Sequence, residues 1–477
     1  MIDLTSGNLS DPLDYLAKPR NNPQLLNPCS IVWFRNDLRV SDHAPLDQAC
    51  NRNLPVVAMY VFDDRQYSKT LHYDFPKTGA HRAQFIRESV AVLEQQLHHL
   101  GIPLLVSQGD TVDRFTELMK GLNQHGFEAT TVYYSEESGQ EERDLVNGCQ
   151  YHEKLQSLRW ESYRTNDLYL HEDLPALELL PHVFTLFRKQ IEGKLIPPAP
   201  LPAPIYDAKW DYPVFQSIRS LSHLPTIEEL GLIAPMHDER NTMNWQGGST
   251  SGQQRLHHFL FATDAIATYK LTRNGLLSTI DSSRLSSWLA HGCLSAREVY
   301  AAIHRYEQTR IRNESTYWLW FELLWREFFR LMHRKYPHRI FQREGIQQRK
   351  KSWSCNPRYI EAWLAGRTGY PLVDASMREL AITGYTSNRA RQNAASFLTQ
   401  SLNIDWLLGA EWYESQLIDY DPASNYGNWQ YLAGVGNDAR LDRRFHVVKQ
   451  AQQYDPEQAY VRHWLIDYDD ASIEPLI

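Results

Sequence analysis

The hydrophobic pattern changes period once along the chain, and a proline-rich segment marks the change. Before it, short β-branched and aromatic runs alternate with helical stretches: residues 31–34, 55–62, 102–106 and 131–134 read as four buried strands, with a fifth near residues 158–163. Between the second and third runs Ile86, Val90, Leu93, Leu97 and Leu100 recur at helical spacing, and Gly101 follows at the C-cap position. This β-α-β rhythm specifies an α/β, doubly wound parallel sheet. Ten prolines lie between Pro175 and Pro235, six of them from Pro197 to Pro213, and that density forbids a long helix or central strand. Beyond Gly247-Gly248 the pattern is almost wholly helical. The expected organisation is an N-terminal extension over residues 1–29, an α/β domain over 30–170, a surface connector over 171–247 and an all-helical domain over 248–477.

A chain of 477 residues is long enough for two or three domains, each with its own core. No run approaches the ~18 consecutive apolar residues of a membrane span, and residues 1–30 lack a signal core, so a soluble, cytoplasmic protein is expected. The five cysteines are odd in number and form no C-x-x-C pair, which argues against a disulfide framework or a cysteine-based metal site. The net charge of −8 conceals an uneven distribution: residues 1–240 carry 22 Lys+Arg against 33 Asp+Glu, residues 282–404 carry 19 against 9, and residues 405–477 carry 5 against 13. The basic segment also holds six of the 14 tryptophans. Basic charge interleaved with aromatics suits a surface that tracks a phosphate backbone and stacks bases; an aromatic helical core with an ordinary basic exterior gives the same composition.

The turn after the first strand, Arg35-Asn36-Asp37-Leu38-Arg39, lacks the glycines of a dinucleotide fold. The one G-x-G-x-x-A string, Gly434 to Ala439, follows a helical stretch rather than a strand. H-E-x-x-H, G-x-S-x-G and P-loop patterns are absent. Three constellations remain. Trp318, Glu322, Trp325 and Phe329 share one helical face, so a carboxylate sits in an aromatic stripe; either Arg326 pairs with it at i+4, or Glu322 and Trp325 line a pocket that takes a flat heterocycle. Ser282, Ser283, Arg284, Leu285 and Ser286 precede an apolar stretch, as a plain N-cap or as an anion cradle. Asp419, Asp421, Asn425, Asn428 and Trp429 crowd polar groups into a helical domain, with Asn388, Arg389 and Arg391 upstream to balance their charge.

The strings IVWFRNDLRVSD, SSRLSSWLAHGCLS, FELLWREFF, GYPLVDASMRELAITGYTSNRARQ and LIDYDPASNYGNWQYLAGVGNDAR resemble the cryptochrome/photolyase flavoprotein family, and the last resembles its DASH branch. The resemblance covers residues 30–462 in family order. It implies FAD held in the helical domain and an antenna pigment, such as 5,10-methenyltetrahydrofolate, seated against the α/β domain. It further implies that Tyr269, Ser282, Ser283, Arg284, Leu285 and Ser286 hold phosphates, and that Arg326, Tyr385, Asn388, Arg391, Asp419 and Asp421 surround the rest of the cofactor. Asn425 would face the flavin N5. Trp429, Trp406 and Trp353 match the family's electron-transfer chain, Glu322 and Trp325 its lesion-contacting pair, and Glu136 its antenna-contacting carboxylate. No metal is implied.

Two positions depart from double-strand photolyases: Tyr431 replaces a tryptophan and Gln392 a methionine, which makes the lesion pocket less apolar. Extruding a base costs least in single strands, so the change favours single-stranded repair or none. The expectation is a blue-light FAD photoreceptor, monomeric, binding single-stranded or undamaged duplex DNA with transcription as its output. The alternative is a photolyase for cyclobutane dimers in single-stranded DNA. A light-dependent protein-interaction switch is disfavoured because only fifteen residues follow the family match.

Overall fold

Strand β1 (Asn27–Phe34) lies at the centre of a parallel five-stranded sheet whose order is β3-β2-β1-β4-β5, with β2 Val56–Asp63, β3 Leu104–Gly109, β4 Phe127–Ser135 and β5 Arg159–Tyr163. The computed structural model describes residues 26–207, 210, 212–438, 444–466 and 475–477. Most of the expected N-terminal extension, residues 1–25, lies outside the described residues, as do Ala439 and Arg440 of the last motif. β1 starts three residues ahead of the expected domain boundary.

Alternation along the strands sends side chains to both faces. Ile31, Trp33, Val57, Met59 and Val132 join Phe115, Leu118 and Leu122 of helix Thr111–Gln124 in one core. Val32, Phe34, Ala58, Tyr60 and Phe62 join Phe85, Ile86, Val90, Leu93 and Leu97 of helix Ala80–His99 in another, and that helix ends at Leu100 with Gly101 at φ 76°. This second core does not stop at the domain boundary. It runs on into Trp288, Leu294, Phe328 and Leu331 of the helical half, so one hydrophobic body joins the two parts of the chain. A separate core built on Trp363, Leu380, Trp406 and Trp429 fills the far side of the helical domain.

The proline-rich connector differs from the expected surface strap. Among the described residues its prolines confine it to two short α-helices, Phe184–Ile191 and Tyr212–Ser220, but Phe184, Phe187, Ile191 and Tyr206 are buried in the shared core, and Trp210, Phe215 and Ile218 are buried against the outer face of the sheet. Burial of such side chains stabilises by about 1.5–3 kcal/mol each, which binds a segment with little secondary structure of its own.

Much of the uneven charge is also internal. Arg297 pairs with Asp42 at 3.0 Å, and Arg330 and Arg334 each take one oxygen of Asp167 at 2.9 Å. Arg39 of the α/β domain donates to the Gly292 carbonyl at 2.9 Å. Burial opposes the charge on Asp167, but Arg334 and Arg330 override it and hold its carboxyl below the usual range. Arg349 and Lys351 donate to the carbonyls of Gly434 and Ala433, at the C-terminus of helix Pro422–Ala433, where cations offset the helix dipole. The basic segment is therefore only in part a charged exterior.

Candidate functional site

Helix Glu314–Lys335 is capped at its start by Asn313 and carries Glu322 and Arg326 on one face; helix Pro422–Ala433 is capped by Asp421, which accepts from the Ser424 amide at 2.7 Å. The two pack closely because Gly427 has no side chain: a Cβ there would lie 2.3 Å from the Phe329 ring. Gly409 does the same for helix Trp406–Gln416, where a Cβ would meet the Trp429 ring at 2.1 Å. Between these helices and the loop before helix Ser286–Ala290 lies a cavity enclosing about 1160 Å³ of empty space, counting its mouth.

Thirteen of the expected residues line it: Tyr269, Ser283, Leu285, Ser286, Glu322, Arg326, Asn388, Arg391, Gln392, Asp419, Asp421, Asn425 and Trp429. Arg391 donates through one nitrogen to both oxygens of Asp419, at 3.0 and 2.9 Å, and through Nε to the Thr386 carbonyl. Asn425 donates to the Ala410 carbonyl at 2.9 Å. Burial opposes the charge on Asp421, yet Arg330 and Arg326 hold its carboxyl below the usual range.

Other expected residues stand behind the wall. Arg284, at φ 51°, turns its guanidinium to the Leu277 and Ser278 carbonyls and lies over the Tyr385 ring, and Arg391 lies over the same ring. Ser282 offers its carbonyl to Arg255. Ser282, Arg284 and Tyr385 thus brace the pocket from outside, because the loop's left-handed residue directs the arginine away. Burial followed by Arg284 lowers the Arg255 guanidinium to about 10, and Arg255 also donates to Thr279 and Ser283. No local motif identifies it.

Of the two readings of Glu322, the pair with Arg326 does not form and the carboxylate lines the cavity. Arg326 donates across the domain boundary to the Asn166 carbonyl at 2.6 Å and to the Leu289 carbonyl at 3.2 Å, while Glu322 bonds Arg273 at the mouth. Burial raises the Glu322 carboxyl, and Arg273 counteracts the shift. Trp325 is absent from the wall. Its ring stacks on Phe184 of the connector at 3.7 Å and 11°, with Tyr431 edge-on at 6.1 Å, so that face is already covered. Gln392 accepts from Arg389, which also donates to Asn274.

Trp429 stands on the wall, in ring contact with Tyr413 at 5.0 Å and Trp363 at 6.2 Å. Trp406 is fully buried and donates to the Arg343 carbonyl. Trp353 is half-buried beneath Lys351, and the bridge between Ser354 and Ile404 fixes its segment beside the start of the Trp406 helix.

A second cavity opens between the domains. Glu137, Glu141, Glu142, Glu411 and Glu414 line it, with Lys77, Arg82 and His72, and Tyr420 and Asp421 belong to both cavities. Burial, then Glu137, lifts the Glu142 carboxyl to about 7. Glu136 is not on this wall: it bonds Arg164 at 3.2 Å and faces Arg334 at 3.5 Å, whereas its neighbour Glu137 faces the cavity. Of the two adjacent glutamates that follow the strand, which ends at Ser135, only Glu137 lines this cavity.

Residues 30–204 match the family model described as DNA photolyase, and residues 318–474 match the FAD binding domain of DNA photolyase. A parallel-sheet domain joined to a helical domain with this cavity defines the photolyase/cryptochrome class of flavoproteins. Cryptochrome DASH of Gloeobacter violaceus is 46% identical over 436 residues, 91% of this chain and 85% of that protein. The crystal structure of the Synechocystis sp. PCC6803 cryptochrome superposes with a TM-score of 0.85 at 43% identity, covering 92% of this chain and 89% of the other. A bacterial class III photolyase from Agrobacterium tumefaciens gives 0.78 at 27% identity, over 94% and 89%. The chain belongs to the cryptochrome DASH family, and its cofactor is FAD.

The wall fits that cofactor. Leu285, Leu289, Leu432 and Trp429 offer apolar surface for a flat heterocycle, Arg391, Asn388 and Asn425 offer donors and acceptors for its polar edge, and Ser283 and Ser286 offer hydroxyls for phosphates.

Proposed function

We propose that the protein is a blue-light photoreceptor that binds DNA and regulates transcription. The observation that carries the reading is the arrangement of three indoles: Trp429 on the cavity wall, Trp406 in the core and Trp353 half-buried. When bound, FAD supplies blue-light absorption and a ring system that accepts an electron when excited. Asp419 fixes the Arg391 guanidinium, and the Tyr385 ring beneath supports it, so the polar edge of the site is oriented before anything binds. Asn425 presents its amide from the first turn of a capped helix. With FAD bound, Trp429 would be the residue placed to donate an electron at the wall, and Trp406 and Trp353 would be placed to pass the electron vacancy outward. Arg273 and Arg389, bonded to Glu322 and Gln392 at the mouth, are the cations that meet a phosphate backbone. Methenyltetrahydrofolate would serve as antenna in the interdomain cavity, where Glu137 would be among the residues that hold it.

A second reading, dimer repair in single-stranded DNA, is favoured by Glu322, whose carboxylate reaches the cavity. With one face of Trp325 covered by Phe184, stacking on a flipped dimer is weaker, which suits an unpaired strand. Illumination of the reduced protein with dimer-containing oligonucleotides separates the two. Repair of neither single strand nor duplex supports the photoreceptor; repair of the single strand alone supports the enzyme. Retention of either oligonucleotide is expected to fall as salt rises, and salt-independent retention would count against phosphate contacts.

A further inference from the structure

Behind the wall shared by the two cavities lies the buried Arg330. Arg330 is buried on helix Glu314–Lys335 and faces three carboxylates from three segments: Nε donates to Asp167 at 2.9 Å, Nη1 lies 3.6 Å from Asp421, and Nη2 lies 3.8 Å from Glu137. Asp167 has a second guanidinium in Arg334, so Arg330 divides its remaining charge between Asp421, which lines the helical cavity, and Glu137, which lines the interdomain one.

That division is unsettled. Arg330 Nη2 and Glu137 Oε1 are both buried without a hydrogen-bond partner among the described residues. The neighbouring guanidiniums are fixed by backbone or carboxylate bonds: Arg35 to the Ser135 and Glu142 carbonyls, Arg326 to those of Asn166 and Leu289, and Arg334 to Asp167. Burial raises the Glu137 carboxyl against the pull of Arg330 and Arg35. A donor edge on a ligand in the interdomain cavity that reaches the Glu137 carboxylate favours its ionised form, which competes with Asp421 for Arg330.

We propose that Arg330 is a positioning residue shared by the two cavities, so that a heterocycle donating hydrogen bonds to Glu137 draws Arg330 from Asp421 and makes the flavin cavity more negative. This rests on the antenna reading above. A more negative cavity disfavours added negative charge, so occupancy of the interdomain site opposes flavin reduction. By linkage, reduction of the flavin weakens the interdomain ligand by the same factor.

The test uses the FAD-loaded full chain, in the dark and without oxygen. Methenyltetrahydrofolate is titrated against the oxidised and the fully reduced protein, and the flavin midpoint potential is measured with and without saturating folate. The oxidised protein is expected to bind about fivefold more tightly or better, the lower end of ordinary coupling between sites. Folate is expected to shift the reduction equilibrium by a matching factor. Glu137→Gln, if folded, is expected to remove both differences; if it does not fold, the two wild-type titrations decide alone. Equal affinity for both redox forms overturns the coupling and leaves the antenna reading standing. No binding to either form overturns the antenna reading and the coupling with it.

Discussion

In the helical cavity two of the three wall carboxylates are hydrogen-bonded to a guanidinium, Asp419 to Arg391 and Glu322 to Arg273, and the third, Asp421, faces the shared Arg330 at 3.6 Å. The interdomain cavity has five glutamates on its wall and fewer cations. Lys77 reaches Glu141 at 2.6 Å and His72 reaches Glu411 at 2.6 Å, but Arg82 donates to the backbone carbonyl of Glu414, not to its carboxylate. Paired charges hold their geometry before a ligand arrives; surplus buried carboxylates are held towards neutrality until a donor reaches them. The first cavity is a mould, and the second leaves buried carboxylates without matching cations.

The largest effect is expected from the partition between them. Asp167→Asn leaves Arg330 and Arg334 without the carboxylate that joins them, and breaking a buried pair in this way costs about 3–5 kcal/mol. Denaturant unfolding measures it; a loss below about 1 kcal/mol would mean the pair behaves like a surface bridge. Next, Trp429→Phe is expected to slow flavin photoreduction by about tenfold or more, equivalent to at least ~1.4 kcal/mol of barrier, with the fold retained. Bleaching of the flavin band under blue light measures this, and an unchanged rate removes Trp429 as the first donor. Glu137→Gln is expected to weaken folate about tenfold and Glu136→Gln by less than about twofold, because a hydrogen bond to a charged group contributes about 1.5–3 kcal/mol. The reverse order would restore Glu136 as the contact.

The smallest effect concerns pH. Burial lifts the Glu414 carboxyl to about 7, from about 4.3 in an unfolded chain. Between those values the folded state keeps a proton that the unfolded state has lost, so this group's contribution to stability falls as pH rises towards 7. Glu414→Gln is expected to raise stability by about 1 kcal/mol at pH 8, a fraction of the full linkage, and to leave it nearly unchanged at pH 4. A gain of equal size at both values would show that packing, not charge, is responsible.

The mould was legible in the sequence because contiguous motifs build it: the loop around Ser283 and Ser286, the stretch from Asn388 to Gln392, and the stretch from Asp419 to Trp429 each bring several wall residues on one element. The sheet was legible for a similar reason, since its apolar runs are separated by one helix with a clear stripe. What escaped depends on distant partners. Arg273 lies 49 residues from Glu322, the ring covering Trp325 comes from the connector, and Arg297 is 255 residues from Asp42. Charge totals by segment misled in the same way, because a basic segment and an acidic one can neutralise each other across an interface. The interdomain cavity draws on residues 36, 66–86, 137–142, 290–291, 341 and 411–426, and no periodicity connects them.

The hydrophobic body that runs from Val32 and Phe62 to Phe328 and Leu331 carries a lesson about signalling. Proteins that report a stimulus by swinging two lobes apart need a seam that parts at little cost. Here the seam is filled with core side chains and crossed by the buried Arg39, Arg297 and Arg330, so parting it would expose both at once. Under the proposed photoreceptor function, a light signal would have to leave this chain without a hinge, while the two halves stay joined.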